Sequence, residues 1–142
     1  MRITIVRILI GALGLASCGT GDVTIVPNVL TGTFALQTVN GVAIPAVVID
    51  SANPALRLDA LTGSITINAN NTFSDITSFR QTLRGVVSTR LVTCTGTYRV
   101  VGTVFEFVEV TVAPDCGRTF TGVVLGTTLT TSVLGVPAVF GT

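Results

Sequence analysis

A chain of 142 residues closes one hydrophobic core but not two. It is 48% hydrophobic and only 11% charged, against a usual charged share of about 25%, which excludes intrinsic disorder. There is no His and no Trp, all eight basic residues are Arg, and the net charge is +1. That composition excludes a Ser-His-Asp triad, a His-ligated zinc and a His general base, and it supplies no basic field for nucleic acid.

The first segment reads as an export signal, residues 1–17. Arg2 and Arg7 form a positive start, Ile8 to Leu15 a short apolar run, and Ala16-Ser17 the small residues before a cut. The nine apolar residues from Ile8 to Ala16 are about half of what a bilayer span needs. Leu15-Ala16-Ser17-Cys18 resembles the lipobox of bacterial lipoproteins. That resemblance implies a thioether-linked diacylglycerol on Cys18, which becomes the acylated N-terminus after cleavage. Several acyl chains anchor stably where one would not. The alternative is an ordinary secretory signal with an incidental Cys. Gly19-Thr20 in place of an Asp points by analogy to the outer membrane, facing the periplasm of a Gram-negative host. Residues 18–30 then form a lipidated tether ending near Pro27-Asn28, and residues 31–142 the domain.

From Thr31 onward the periodicity is that of strands. Thr and Val make up 46 of the 142 residues, a bias that suits pleated strands. Residues 32–39 alternate around Phe34 and Leu36, and Asn40-Gly41 is a hairpin turn. Residues 42–50 form a second strand interrupted at Pro45, which marks an edge or a bulge. Residues 56–61 fit either a short strand or a turn. Residues 64–68 and 72–83 flank the turn at Ala69-Asn70-Asn71, and Gly85 breaks the chain before 86–93. Residues 95–101 and 103–112 pair about Gly102, residues 118–125 and 127–134 about Gly126, and 138–140 close the chain.

These eight to ten strands in sequential hairpins predict an all-β fold: a single antiparallel up-and-down β-barrel, whose closure removes the edges an open meander would expose. A two-sheet sandwich is the runner-up. Cys94 and Cys116 are expected to form a disulfide in an oxidising compartment, the alternative being a pair of buried free thiols. With Val101-Gly102 as the turn, Cys94 lies opposite Glu109, and Cys116 sits roughly 23 Å further along a straight strand. A bridge needs Cα atoms within about 7 Å. The chain after Phe107 must therefore leave the ladder and fold back, with Pro114-Asp115 as the bend.

The domain also resembles the lipocalin-like domains of bacterial lipoproteins. The likeness lies in Gly32-Thr-Phe-Ala-Leu-Gln-Thr-Val-Asn-Gly-Val-Ala-Ile-Pro45, Gly63-Ser-Ile-Thr-Ile-Asn-Ala-Asn-Asn-Thr-Phe-Ser74, Gly96-Thr-Tyr98, Phe120 to Thr130 and Ala138-Val-Phe140. It implies a lipocalin-like barrel, and the Gly-x-Trp of the lipocalins proper has no counterpart. Cys94-Thr-Gly-Thr-Tyr98 is also similar to a segment of META-type domains.

Phe34, Tyr98, Phe105, Phe107 and Phe120 are the candidate ligand-lining residues, or else plain core. The acidic residues Asp22, Asp50, Asp59, Asp75, Glu106, Glu109 and Asp115 read as solvated charges, with Glu109 at the rim or inward beside an Arg. Arg80, Arg84, Arg90 and Arg99 read as scattered surface charge. No Ser or Thr has a neighbouring base to activate it, and no phosphate-cradling motif is present. The expected function is a non-catalytic envelope lipoprotein without cofactor or metal, binding a small apolar or amphipathic molecule inside the barrel. The rival is a structural or protein-interaction module with a solid barrel, contacting an envelope protein or inhibiting a protease.

Overall fold

The computed structural model describes residues 31–142. The expected signal, the lipidation site at Cys18 and the tether lie outside the described residues. Ten strands follow one another without a helix among the described residues: β1 (Gly32–Val39), β2 (Val42–Ala43), β3 (Ala46–Ala52), β4 (Ala55–Ile67), β5 (Thr72–Leu83), β6 (Val86–Val101), β7 (Val104–Glu109), β8 (Thr119–Leu125), β9 (Thr128–Val133) and β10 (Val136–Gly141). Each of β4 to β10 pairs antiparallel with the next, β10 pairs with β1, and β1 returns to β4. The result is a closed eight-stranded antiparallel barrel, the architecture expected of a lipocalin-like domain, and the β1–β4 pairing sets the sandwich aside.

Closure at β1 is shared along its length. Its first residues, Gly32 to Ala35, face Ile67 to Ser64 of β4. Its last two, Thr38 and Val39, face β2 instead. Asn40 and Gly41, with φ of 50° and 76°, supply the two left-handed residues that a two-residue hairpin turn requires. The chain then steps at Pro45 into β3, which pairs with the first half of β4. Residues 42–50 are therefore the interrupted strand that Pro45 foretold.

Three expectations need correction. Residues 56–61 are neither a short strand nor a turn but the start of the 13-residue β4, which passes through a register shift between Ala60 and Thr62. Residues 86–93 and 95–101 are one 16-residue strand, since Cys94 pairs with Asp75 without a break. The β6–β7 turn is Gly102-Thr103, so Gly96 rather than Cys94 faces Glu109, and β7 stops at Glu109 instead of reaching Val112. Beyond it the Thr111 hydroxyl accepts from the Thr95 N–H at 2.7 Å, while the Val110 N–H donates to the Thr95 carbonyl at 2.8 Å. Those bonds use up Thr95 and release the chain into the loop 110–118.

Strand alternation fills the interior. Phe34, Phe73, Phe79, Phe107 and Phe140 are fully buried, joined by Leu58, Ile65, Ile67 and Leu129, each burial stabilising by about 1.5–3 kcal/mol. Such crowding needs gaps. Phe73 lies across the ladder from Gly96, and a Cβ there would overlap the Val108 carbonyl and come within 2.6 Å of the Phe73 ring. Gly96→Ala is expected to cost about 3 kcal/mol or more. Gly102→Ala, at a turn with φ of 64° and open space, costs about 1 kcal/mol. Thermal melts of the two variants check the ranking, and equal losses would contradict this packing.

Candidate functional site

The five aromatic residues expected to line a ligand all reach the barrel interior, where they meet one another. Tyr98 faces Phe107 and Phe107 faces Phe120 across adjacent ladders. Phe107 lies 4.9 Å from both Phe73 and Phe120, centroid to centroid, and Tyr98 lies 5.5 Å from Phe105. Phe34 is buried in the same cluster from the opposite ladder, beside Ile65. The Tyr98 hydroxyl donates to the Asn68 carbonyl at 2.8 Å, tying this layer to the β4–β5 turn.

Clefts lie on the outside. One of about 450 Å³ runs along the loop from Glu109 to Gly117. Another of about 470 Å³ crosses β8 and β9 and is bordered by Phe120, and a third of about 320 Å³ borders Tyr98 between β6 and β7. Phe34, Phe105 and Phe107 border none of these three.

One layer above Phe73 the interior turns polar. Alternation points Asp75 and Thr77 inward, and the Thr77 hydroxyl donates to Asp75 Oδ1 at 3.0 Å. Glu109 enters from β7 with its side chain shut off from solvent. Arg118 holds it three times: backbone N–H to Oε2 at 2.9 Å, Nε to Oε2 at 3.2 Å and Nη2 to Oε1 at 2.6 Å. The same Nη2 lies 3.8 Å from Asp75 Oδ2, so one guanidinium sits between two buried carboxyl groups. The guanidinium carbon also lies over the Phe120 ring, 5.8 Å from its centroid.

The loop 110–118 builds this cluster. It folds back as the cysteine spacing required, and the expected Cys94–Cys116 disulfide is present with Cα atoms 5.6 Å apart. Asp115 pairs with Arg90, which itself lies over the Phe79 ring. The two sulfurs and a Glu109 carboxylate oxygen fall within 4.8 Å of one another. As a disulfide the sulfurs are bonded to each other, and Glu109 is committed to Arg118.

The expectation of solvated acids is overturned at Asp59 and Asp75, both buried, whereas Glu109 takes the inward place beside an Arg that its strand face allowed. Asp59 and Arg80 are directly opposite on the outer face of β4 and β5, and Arg57 stands two residues before Asp59. Both guanidinium groups lie 2.9 Å from the carboxylate. Burial on its own pushes Asp59 up, but the Arg80 and Arg57 hydrogen bonds and charges outweigh it and hold the carboxyl below its usual range. Arg80, Arg90 and Arg99 are therefore not scattered charges: they pair with Asp59, Asp115 and Glu106. Arg84 occupies the β5–β6 turn with φ of 50°.

Arg118 is the residue that sequence reasoning missed as a partner. The available signal was Glu109 on the same strand face as Phe105 and Phe107, a buried acid in need of a cation. No protein-family model, curated protein or solved structure matches the chain, so its chemistry rests on its own residues.

Desolvation, with the neighbouring Glu109 charge, pushes Asp75 up to about 6, against the lowering effects of Thr77 and Arg118. Between the ordinary value of 3.8 and 6, the folded state keeps a proton that the unfolded state has lost. Stability therefore falls as pH rises through that window, by about 3 kcal/mol in all. Asp75→Asn is expected to raise the melting temperature at pH 8 and to match the parent at pH 3.5. An equal gain at both pH values would contradict a charge effect.

Reduction of the Cys94–Cys116 bond, which spans 22 residues, is expected to cost about 3 kcal/mol of stability. A denaturant titration with and without a dithiol reductant measures the loss. Free alkylation of both thiols in the unreduced protein would contradict the bond.

Proposed function

We propose that this chain is a non-catalytic envelope lipoprotein whose barrel is solid, serving as a structural or protein-interaction module. The observation that carries the reading is the aromatic cluster: the residues available to line a ligand cavity spend their surface on one another, with Phe107 within 4.9 Å of both Phe73 and Phe120. Native interiors close-packed in this way leave few voids larger than a water molecule. The buried acids support the same reading. Glu109 is held at both oxygens by Arg118, and Asp59 by two arginines, so they act as structural ion pairs.

The lipid anchor rests on the lipobox-like Leu15-Ala16-Ser17-Cys18. A second reading, binding of a small apolar or amphipathic molecule, is favoured by the open cleft of about 450 Å³ beside Val110 and Val112, a volume within the usual range for ligand sites of about 300–1,000 Å³.

One measurement tests the anchor and a second separates the two readings of the barrel. Cys18→Ser is expected to move the protein from the membrane to the soluble fraction, and unchanged fractionation would overturn the anchor. Native mass spectrometry of protein from its own host is expected to show no bound small molecule. A stoichiometric adduct would replace the solid-barrel reading with the ligand-binding one.

A further inference from the structure

β6 is longer than either neighbour requires. It pairs with β5 from Val86 to Thr97, but β7 pairs only with Gly96 to Val101. The loop 110–118 covers the next stretch, bonding Thr95 and bringing Cys116 Sγ to the Thr93 carbonyl. From Val86 to Val92 the second edge of β6 has no strand beside it among the described residues.

The direction of the free groups follows from the ladder. The Tyr98 N–H donates to the Asn71 carbonyl, on the β5 side, whereas the backbone of Thr95 bonds to the chain after β7. β6 runs without a register shift against β5. Alternation then turns the N–H and C=O of Val87, Thr89 and Leu91 toward the open edge.

Such edges are ordinarily guarded by Lys, Pro or a bulge, and this one has none. Its single charge, Arg90, is paired with Asp115. Its apolar side chains stand in solvent: Val86, Val87 and Leu91 are 70%, 62% and 67% exposed.

We propose that this edge pairs with the same edge of a second copy of the chain, antiparallel about a two-fold axis at Thr89. The inference extends the interaction-module reading by naming the partner, and it is independent of the lipid anchor.

The register is chosen by charge and shape. With Thr89 opposite the partner's Thr89, Val87 meets the partner's Leu91 on the outer face, and Val86 meets the partner's Val92 on the inner face. Arg90 then lies opposite the partner's Ser88. The hydrogen-bonded positions coincide with Val87, Thr89 and Leu91, giving about six backbone bonds. Shifting by one pair in one direction sets Arg90 against the partner's Arg90, a like-charge contact that destabilises a sheet. Shifting the other way puts Leu91 opposite the partner's Gly85 and leaves its side chain without a mate. A two-fold axis makes the contact self-limiting at two copies. The seven-residue edges and their three exposed apolar side chains must together cover about 1,000 Å² for specific association.

The experiment uses the full chain in detergent. Thr89→Cys places two thiols on the axis, where paired Cα atoms stand about 5.5 Å apart, within disulfide range. It is expected to give a reducible covalent dimer. Ile76→Cys, exposed on the outer face of β5 away from the edge, is expected to give none beyond the parent.

Sedimentation of the parent is expected to show a dimer. Thr89→Pro, which removes an edge-facing N–H and no β5 bond, weakens it at least tenfold. Leu91→Lys does the same and serves if the proline variant fails to fold. A parent that stays monomeric at about 100 μM, or a dimer indifferent to both substitutions, overturns the pairing. So does an edge occupied by a strand of another protein or by this chain's own residues 23–30. None of those outcomes bears on the native-mass or fractionation results, which decide the underlying reading separately.

Discussion

Strand β1 is hydrogen-bonded along both of its edges, and the placement of the other elements depends on that. On one side it takes β10 from Ala35 to Val39, on the other β4 from Gly32 to Ala35 and then β2. An antiparallel meander of eight strands would otherwise end in two bare ladders. Because β1 joins the first and last long strands, one face of every barrel strand becomes interior, and period-two alternation decides the rest. Phe34, Leu36 and, past the register shift, Val39 are the buried residues of this closing strand, and all three belong to the core.

The interior that closure creates is divided by height. Toward the β4–β5 turn it is aromatic and apolar, centred on Phe73 and Phe107. At the level of Asp75 and Cys94 it becomes a charged and disulfide-bonded plug. The loop 110–118 supplies one partner of each pair in the plug, bringing Asp115 to Arg90, Cys116 to Cys94 and Arg118 to Glu109. These contacts reinforce one another. A buried Glu109 without Arg118 leaves an unpaired charge, a loss of several kcal/mol, and the disulfide holds that arginine's segment in reach.

Much of the fold was legible in the sequence because turns carry their own chemistry. The Asn40-Gly41 turn and strands β1 and β5 match the pattern of alternation and punctuation residue for residue. The fold-back needed to join Cys94 to Cys116 followed from strand rise alone. The misreadings came where a small residue is a packing device and not a break. Gly96 lies mid-strand to admit the Phe73 ring, and Cys94 continues β6, so one long strand looked like two. The buried carboxyl groups were hidden for another reason. Alternation put Asp75 and Glu109 inside while their charge argued for solvent, and the arginine that resolves the conflict comes from a loop with no periodicity. Asp59 has two arginines close in sequence or register, and only the β4–β5 pairing reveals the second.

The chain enters the barrel at Gly32 and leaves it at Thr142 on the same end, whereas the β5–β6 turn at Arg84-Gly85 stands at the opposite end. That arrangement fixes how the domain bears mechanical load. Tension between the two chain ends peels β10 from β1 one rung at a time, beginning at Ala35 and Gly141, so each hydrogen bond resists alone. Tension between the entry strand and the distal turn runs parallel to β4 and β5, and their rungs share it simultaneously. The same ladders are thus compliant to a force applied across one pole and stiff to a force applied from pole to pole.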